Sequence, residues 1–366
     1  ATLLPLNPRL TATERAAIVA AEEPTVDLDD AGELTQTEAD LPMLGENDMD
    51  DVCCRVLTSG SSGLPKPIGL TYGNFLWSAV GSGFNIGVDP QDRWLCCLPL
   101  SHISGLGIVM RSVIYGTTAV LHDGFDVERA AAALEGDGIT VVSVVTTMLT
   151  RLLDAGADLS APRAILVGGG PVPEEPLQEA IARGATVVQS YGLTETCSQV
   201  TTLAPADARR KLGSAGRPLL TTHLRILDGE ILVQGPTVAP GRADPDGWLH
   251  TGDLGHIDDE GFLYVKDRID DLIVSGGENI VPAEVEEVLL RHPEVADAAV
   301  IGRDDPDWQQ AVTAVVVLEA GSAATPDDLR RHCGESLAGF KVPKRVELAA
   351  ALPRTPSGKL MRRALR

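Results

Sequence analysis

Between Leu57 and Asn74 the chain reads LTSGSSGLPKPIGLTYGN, with three serines, two threonines, four glycines and one lysine. Glycines let a backbone turn and come close to a ligand. Hydroxyls together with freed N–H groups make a concave donor surface suited to phosphate. Thr58, Ser59, Gly60, Ser61, Ser62, Gly63 and Lys66 are therefore candidates for a phosphate-holding loop. It is not the loop of P-loop NTPases, in which Gly-Lys-Ser/Thr opens a helix. Here Leu64 and Pro65 separate Gly63 from Lys66, and Pro67 follows. A Gly/Ser linker has a similar composition, but the apolar stretches DVCCRVL before and GNFLWSAVGSGF after read as core rather than as the flanks of a linker.

Further short motifs carry chemistry-bearing side chains. SYGLTETCSQ supplies Tyr191, Gly192, Thr194 and Glu195; GWLHTGDLG supplies Asp253 after a Thr-Gly turn; KDRIDDLIVSGGENI supplies Arg268, Asp270 and the pair Gly276 and Gly277; PSGK supplies Lys359, seven residues from the end. Each has an ordinary reading when taken alone. A loop glutamate is usually solvated, a turn aspartate usually binds its own backbone, and a lysine near the terminus is usually a tail charge. It is their order along one chain that points to a site.

Regular elements must position these residues. From residue 50 to about 190, the segments 93–100, 117–123, 139–145, 163–169 and 185–192 read as apolar strands, with DVERAAAALEG and VPEEPLQEAIARG as helices between them. Such alternation predicts βαβ units and a mostly parallel sheet. Ligands in such sheets sit at the carboxyl ends of strands, which makes the Gly168, Gly169 and Gly170 turn a candidate wall. From 213 to 268 the pattern becomes short strands joined by Gly/Asp turns, a small antiparallel sheet or barrel. From 270 onward comes a compact α+β unit. The expected fold is thus α/β: a large N-terminal domain, 1–269, carrying a small β subdomain at 213–268, and a smaller C-terminal α+β domain, 270–366.

Composition narrows the class. The 366 residues are 44% hydrophobic, enough for a large core in two or more domains. No apolar run approaches a membrane span, and the first twenty residues lack a basic leader, an apolar stretch and a cleavage site. The six cysteines show no CxxC spacing and read as buried reduced thiols in a cytoplasmic protein. A net charge of −22 argues against a nucleic-acid partner. Six lysines against twenty-four arginines, with abundant Asp and Glu, fit a salt-adapted surface. That charge also repels anionic ligands, so local cations or a metal must reverse the sign at any site that takes them.

TSGSSGLPK, YGLTET, WLHTGD, KDRIDDLIVSGGENI and PSGK, in this order from residue 57 to 359, resemble the acyl-adenylate-forming superfamily of acyl-CoA synthetases, adenylation domains and luciferases. Within it, SYGLTETCSQVTTL, KLGSAGRPL and LPLSHISGLGI are most similar to the o-succinylbenzoate–CoA ligases of menaquinone biosynthesis. The resemblance implies an AMP-forming acid–thiol ligase that uses ATP, Mg²⁺ and coenzyme A on a small carboxylic acid. It further implies that the phosphate loop and Lys66 hold the β- and γ-phosphates, that Thr194 touches the α-phosphate and that Glu195 ligates Mg²⁺. Asp253 and Arg268 would hold the ribose, and Gly168, Gly169, Gly170 and Tyr191 with Gly192 would flank adenine. Lys359 would bridge the α-phosphate and the attacking carboxylate, delivered by a domain that turns about Asp270. Ser275, Gly276 and Gly277 would line the pantetheine tunnel.

His102 matches the family's gate beside the acyl pocket; a satisfied buried histidine is its ordinary reading. Ser104, Thr146 and Ser198, with Ser101 and Thr147 beside them and an arginine in support, are pocket candidates for the second carboxylate. Two departures stand out: Ser62 replaces the usual threonine, and Pro67 the usual glycine. The opening ATLLPLNPRL corresponds to a stretch that follows a substantial N-terminal segment in relatives. Other aryl- or fatty acyl-CoA ligases, a carrier-loading adenylation enzyme and a non-catalytic nucleotide-binding protein are the alternatives, and a homo-oligomer is left open.

Overall fold

In the computed structural model, residues 2–8, 10–24, 46–58, 66–170, 172–354 and 360–365 are described. The chain opens with α1 (Ala12–Glu22), started by a capping box in which Thr11 and Glu14 satisfy each other's backbone N–H. β1 (Val52–Thr58) and β2 (Lys66–Thr71) form an antiparallel hairpin, and α2 (Tyr72–Ile86) starts directly from a second capping box, Thr71 with Asn74. The candidate phosphate loop thus joins two strands of a hairpin.

A seven-stranded sheet forms the centre. It uses β3 (Arg93–Cys96), β4 (Thr118–Leu121), β5 (Val141–Val144), β6 (Ala164–Val167), β7 (Val187–Tyr191), β8 (Thr201–Thr202) and β9 (Arg217–Pro218), in the order β4-β3-β5-β6-β7-β8-β9. The first five are parallel; β8 and β9 add on antiparallel. The connecting helices are α3 (Ile103–Tyr115), α4 (Val127–Gly136), α5 (Thr146–Asp154) and α6 (Glu174–Ala182). β6 (AILV) reads as an unbroken apolar run and β5 (VVSV) as one broken only by Ser143, which accepts the Trp94 indole N–H at 3.0 Å, as expected of strands covered on both faces. Their side chains, with Leu134, Leu149 and Leu177, make the main core.

At the amino ends of the strands an ion pair between a half-exposed arginine and a buried aspartate ties the layers together. Arg163 donates to Asp92 from Nη2 and Nε (2.5 and 2.9 Å) and also reaches the carbonyls of Ile86 and Gly87 at the end of α2. Burial pushes the Asp92 carboxyl up, but bonds from Arg163, the Asp89 N–H and Thr140 outweigh it and hold it below the usual carboxylate range. All six cysteines are buried and free, and burial pushes the Cys54 and Cys97 thiols up to about 12.

The second sheet is a four-stranded antiparallel meander of β10 (His223–Leu227), β11 (Glu230–Gln234), β12 (Leu249–Ile257) and β13 (Leu263–Arg268), in sequence order. Its strands begin at His223, and the residues before them join both sheets: Gly216 bridges Leu263 of β13, while Arg217 and Pro218 pair with β8. Beyond it, β14 (Ile273–Ser275), β15 (Glu278–Ile280), β16 (Val295–Asp305), β17 (Gln309–Leu318) and β18 (Arg345–Leu348) form a sheet covered by α7 (Pro282–Leu290) and α8 (Pro326–Ser336), with its own apolar core.

Candidate active site

Four neighbouring parallel strands release their chains at one edge, and the candidate residues follow them in order. After β3 come Ser101, His102 and Ser104; after β5, Thr146; after β6, Gly168, Gly169 and Gly170; after β7, Gly192, Thr194 and Glu195. Carboxyl ends of parallel strands are where such sheets bind ligands.

Close backbone packing forms this edge. A Cβ on Gly168 would lie 2.7 Å from the Ser190 carbonyl oxygen, and one on Gly192 would lie 1.5 Å from that of Ser198. Only glycine fits either position. Past the short turn Thr194–Thr196, Cys197 and Ser198 both hold positive φ, 50° and 88°. Two consecutive non-glycine residues there cost on the order of 1–3 kcal/mol each. The loop keeps them because it is tied down: Ser78 Oγ donates to the Cys197 carbonyl at 2.7 Å, the Ser198 N–H to Leu193 at 3.1 Å and the Ala239 N–H to the Glu195 carbonyl at 2.8 Å. The outcome is a rigid presentation of Thr194 and Glu195. No hydrogen bond or ion pair among the described residues engages the half-buried Glu195 carboxylate. A lone carboxylate beside a hydroxyl suits a hard divalent cation that keeps most of its other ligands as water or phosphate oxygen.

Asp253 joins the two sheets. It is 7% exposed on β12, accepts the Tyr191 phenol at 2.8 Å and faces Arg268 Nε at 3.3 Å. Its turn is braced by the Thr251 hydroxyl on its own N–H, at 3.1 Å, and by Glu230 on the Gly252 N–H, at 2.9 Å. Burial and the adjacent carboxylate raise the Tyr191 phenol well above its ordinary range, so it stays a donor. The expected stacking residue therefore has its polar end committed to Asp253, while its ring packs beside the cluster of Val200, Ile231 and Val233. Sequence order could not show this bond, because 62 residues separate the partners.

His102 caps α3 without a side-chain bond, and its Nε2 has no partner. Burial holds the imidazole below its ordinary 6.5, so it is neutral at neutral pH. Helix α3 also carries a residue that the sequence reading left unnamed. Arg111 is 4% exposed, its Nη2 donates to Ser78 Oγ at 3.0 Å, and its Nε is unpaired. A Cβ on Gly107 would sit 3.0 Å from Arg111 Nη1 and 3.8 Å from Ser198 Cβ, which places all three together. Among the described residues no carboxylate forms an ion pair with this guanidinium. An aperiodic arginine inside an apolar helix, GLGIVMRSVIY, was the available signal.

The hairpin sets Thr58 and Lys66 opposite each other, with the Thr58 hydroxyl donating to the Lys66 carbonyl at 3.1 Å and the lysine exposed. Ser59, Gly60, Ser61, Ser62, Gly63 and Lys359 lie outside the described residues. Pro67 sits in β2 opposite Leu57, where its carbonyl accepts from Arg242 at 3.3 Å. On the C-terminal sheet, Gly276 (φ 60°) and Gly277 (φ 85°) make the two-residue turn between β14 and β15. Ser275 Oγ before them is buried and unpaired. The Trp308 ring packs on Gly276, where a Cβ would come within 2.8 Å of it, and Lys344 Nζ lies 4.2 Å from the ring centroid. Trp308 and Lys344 were not legible as neighbours of the double glycine.

A family model described as AMP-binding enzyme matches residues 26–241, and one described as AMP-binding enzyme C-terminal domain matches 284–359. The 2-succinylbenzoate–CoA ligase of Bacillus cereus is 45% identical over 343 residues, covering 88% of this chain and 71% of that protein. The structure of o-succinylbenzoate CoA synthetase from Bacillus subtilis with its acyl-adenylate intermediate superposes with a TM-score of 0.90 at 41% identity, over 99% of this chain and 82% of that one. The same enzyme with ATP and a magnesium ion superposes at 0.88, again at 41% identity, over 98% and 83%.

Proposed function

The chain belongs to the AMP-binding enzyme family, and from that premise we propose that it activates o-succinylbenzoate with ATP and passes the acyl group to coenzyme A. It is an AMP-forming acid–thiol ligase of menaquinone biosynthesis. In the first step a carboxylate oxygen of the acid attacks the α-phosphorus, an acyl–phosphate bond forms and pyrophosphate leaves. In the second the thiolate of CoA attacks the acyl carbon and AMP leaves.

Both steps gather negative charge, so the work is positioning and charge stabilisation. Thr58, Lys66 and the serines between them hold the β- and γ-phosphates. Thr194 donates to the α-phosphate. Mg²⁺, held by Glu195, would offset charge on the triphosphate. Asp253, pre-oriented by Tyr191 and Arg268, accepts the ribose hydroxyls, and the bare backbone of residues 168–170 lies along adenine. Lys359 brings a compact cation between carboxylate and α-phosphate. The boundary between the domains falls at 269 and 270, with Asp270 as the pivot that exchanges Lys359 for Ser275, Gly276 and Gly277. Among the described residues no helix is long and apolar enough to cross a membrane, and we place the enzyme in the cytoplasm.

The observation that carries the choice of acid is Arg111. A buried guanidinium with no carboxylate costs several kcal/mol unless an anion arrives. In a chain of net charge −22 this is a preformed place for the second carboxylate of a dicarboxylic acid, with Ser78 and Ser198 beside it and Ser104 and Thr146 at the neighbouring strand ends. The test supplies Mg-ATP, CoA and o-succinylbenzoate, benzoate or octanoate, and reads AMP and thioester. The dicarboxylate should be preferred by at least about 100-fold in kcat/KM. Arg111→Met should remove that preference while leaving benzoate turnover near its starting level. Equal use of all three acids would exclude this substrate.

A further inference from the structure

Three residues past Lys359, Arg362 is one-tenth exposed and surrounded by carboxylates. Its Nη2 and Nε grip Glu286 on α7 at 2.6 and 3.1 Å, and its Nη1 lies 3.2 Å from Asp271 and 3.7 Å from Asp267. Glu286 also accepts the Val300 N–H at 2.7 Å, so tail, helix and β16 are joined as one piece.

Asp267 belongs to the other side of the proposed pivot. It is on β13, its side chain is 2% exposed, and Oδ2 accepts the Ala283 N–H at 2.9 Å in the first turn of α7. A carboxylate at a helix N-terminus is stabilised by the free N–H groups and the dipole there. One side chain of the small sheet thus caps the first helix of the lid and faces the guanidinium of its tail. A turn about residue 270 would leave the bonds of Arg362 to Glu286 and Asp271 intact, since both partners move with the lid. It would break the two contacts of Asp267. Glu286 and Asp267 also face the same guanidinium in a nearly dry site, and like charges this close repel. Moving Asp267 away relieves that repulsion at the cost of the helix cap, a balance that suits an element used in two positions.

We propose that Asp267 is the latch of the adenylate-forming arrangement, and that Arg362 is a positioning residue holding the Lys359 segment against it. This rests on the reading of Asp270 as pivot and on the ligase activity proposed above. In the latched state the tail is anchored on the ribose side of the site, beside Arg268. Once the acyl-adenylate has formed, release of Asp267 frees α7 and the tail together.

The test separates the two half-reactions on the full chain. Adenylate formation is read as pyrophosphate release from Mg-ATP and o-succinylbenzoate without CoA; thioester formation is read from synthetic acyl-adenylate and CoA. Asp267→Asn should slow the first by about tenfold and leave the second within about twofold of its original rate. Arg362→Lys keeps the charge but loses the fork on Glu286, and should shift the ratio in the same direction. It serves as the readout if Asp267→Asn melts below the assay temperature. Equal losses in both half-reactions, or no loss in either, would overturn the latch. Failure of the substrate reading looks different, because the unmodified chain would then release no pyrophosphate with this acid.

Discussion

The phenol of Tyr191, on the last residue of a parallel strand, donates to the carboxylate of Asp253 on the antiparallel meander across 2.8 Å. This bond sets the angle at which one sheet's edge meets the other's turn, and it leaves Asp253 with Arg268 as its second partner. A carboxylate held from two sides keeps its lone pairs aimed without losing entropy when a diol arrives.

Tyr191→Phe should therefore act mildly and on nucleotide affinity. A lost neutral-to-charged hydrogen bond costs about 1.5 kcal/mol, or roughly tenfold in KM for ATP, with kcat little changed. Asp253→Ala removes the acceptor itself and should lower kcat/KM for ATP by at least about 100-fold. Steady-state kinetics in ATP separates the two; a larger effect from Tyr191→Phe would show that the tyrosine does more than brace.

Gly276→Ala meets two obstacles, a φ of 60° and the Trp308 ring 2.8 Å from the new Cβ. The left-handed backbone alone costs about 1–2 kcal/mol for alanine. Trp308 is 42% exposed and can swing away, so the fold should survive with a thermal midpoint lower by a few degrees. If Gly276 lines the pantetheine path as proposed, thioester formation should fall while pyrophosphate release without CoA is unchanged. Trp308→Ala added to Gly276→Ala should recover only the part of the stability loss due to the clash. Full recovery would mean that the backbone is not strained.

The neutral His102 gives stability a pH dependence whose sign is fixed. Its folded-state value lies below 6.5 because burial disfavours the cation. Above 6.5 the ring is neutral in both states and contributes its full share. As pH falls past 6.5 the unfolded chain takes the proton first, so stability drops until the folded ring's own lower value is passed. Urea unfolding at pH 7.5, 6.5 and 5.5 should show this fall, and His102→Asn should flatten it. An unchanged slope in the variant would assign the acid loss to carboxylates.

Much of the architecture was legible. Strand 164–167 announces itself as an unbroken apolar run, and 141–144 as one interrupted only by Ser143, because both their faces are covered, and the capping pair Thr325 and Asp328 marks the start of α8. Other elements were hidden. α3 and α5 stay unassigned from sequence, since the glycines and serines of the first and the threonines of the second are weak helix formers. β9 is two residues long and joins the large sheet only because β8 stands ready to pair with it.

The linear order of five motifs determined what kind of chemistry this chain carries, because a hydroxyl-rich turn, a lone acid, a turn aspartate and a late lysine each have a chemical identity independent of their neighbours. Tertiary structure decided which of them touch. Tyr191 meets Asp253, Arg111 is buried with no ion pair to a described carboxylate, and Asp267 faces Arg362, 95 residues later in the chain. None of these follows from spacing, since a side chain's partners and its exposure to water are set by how sheets pack. The strength of a charge in a protein depends on both.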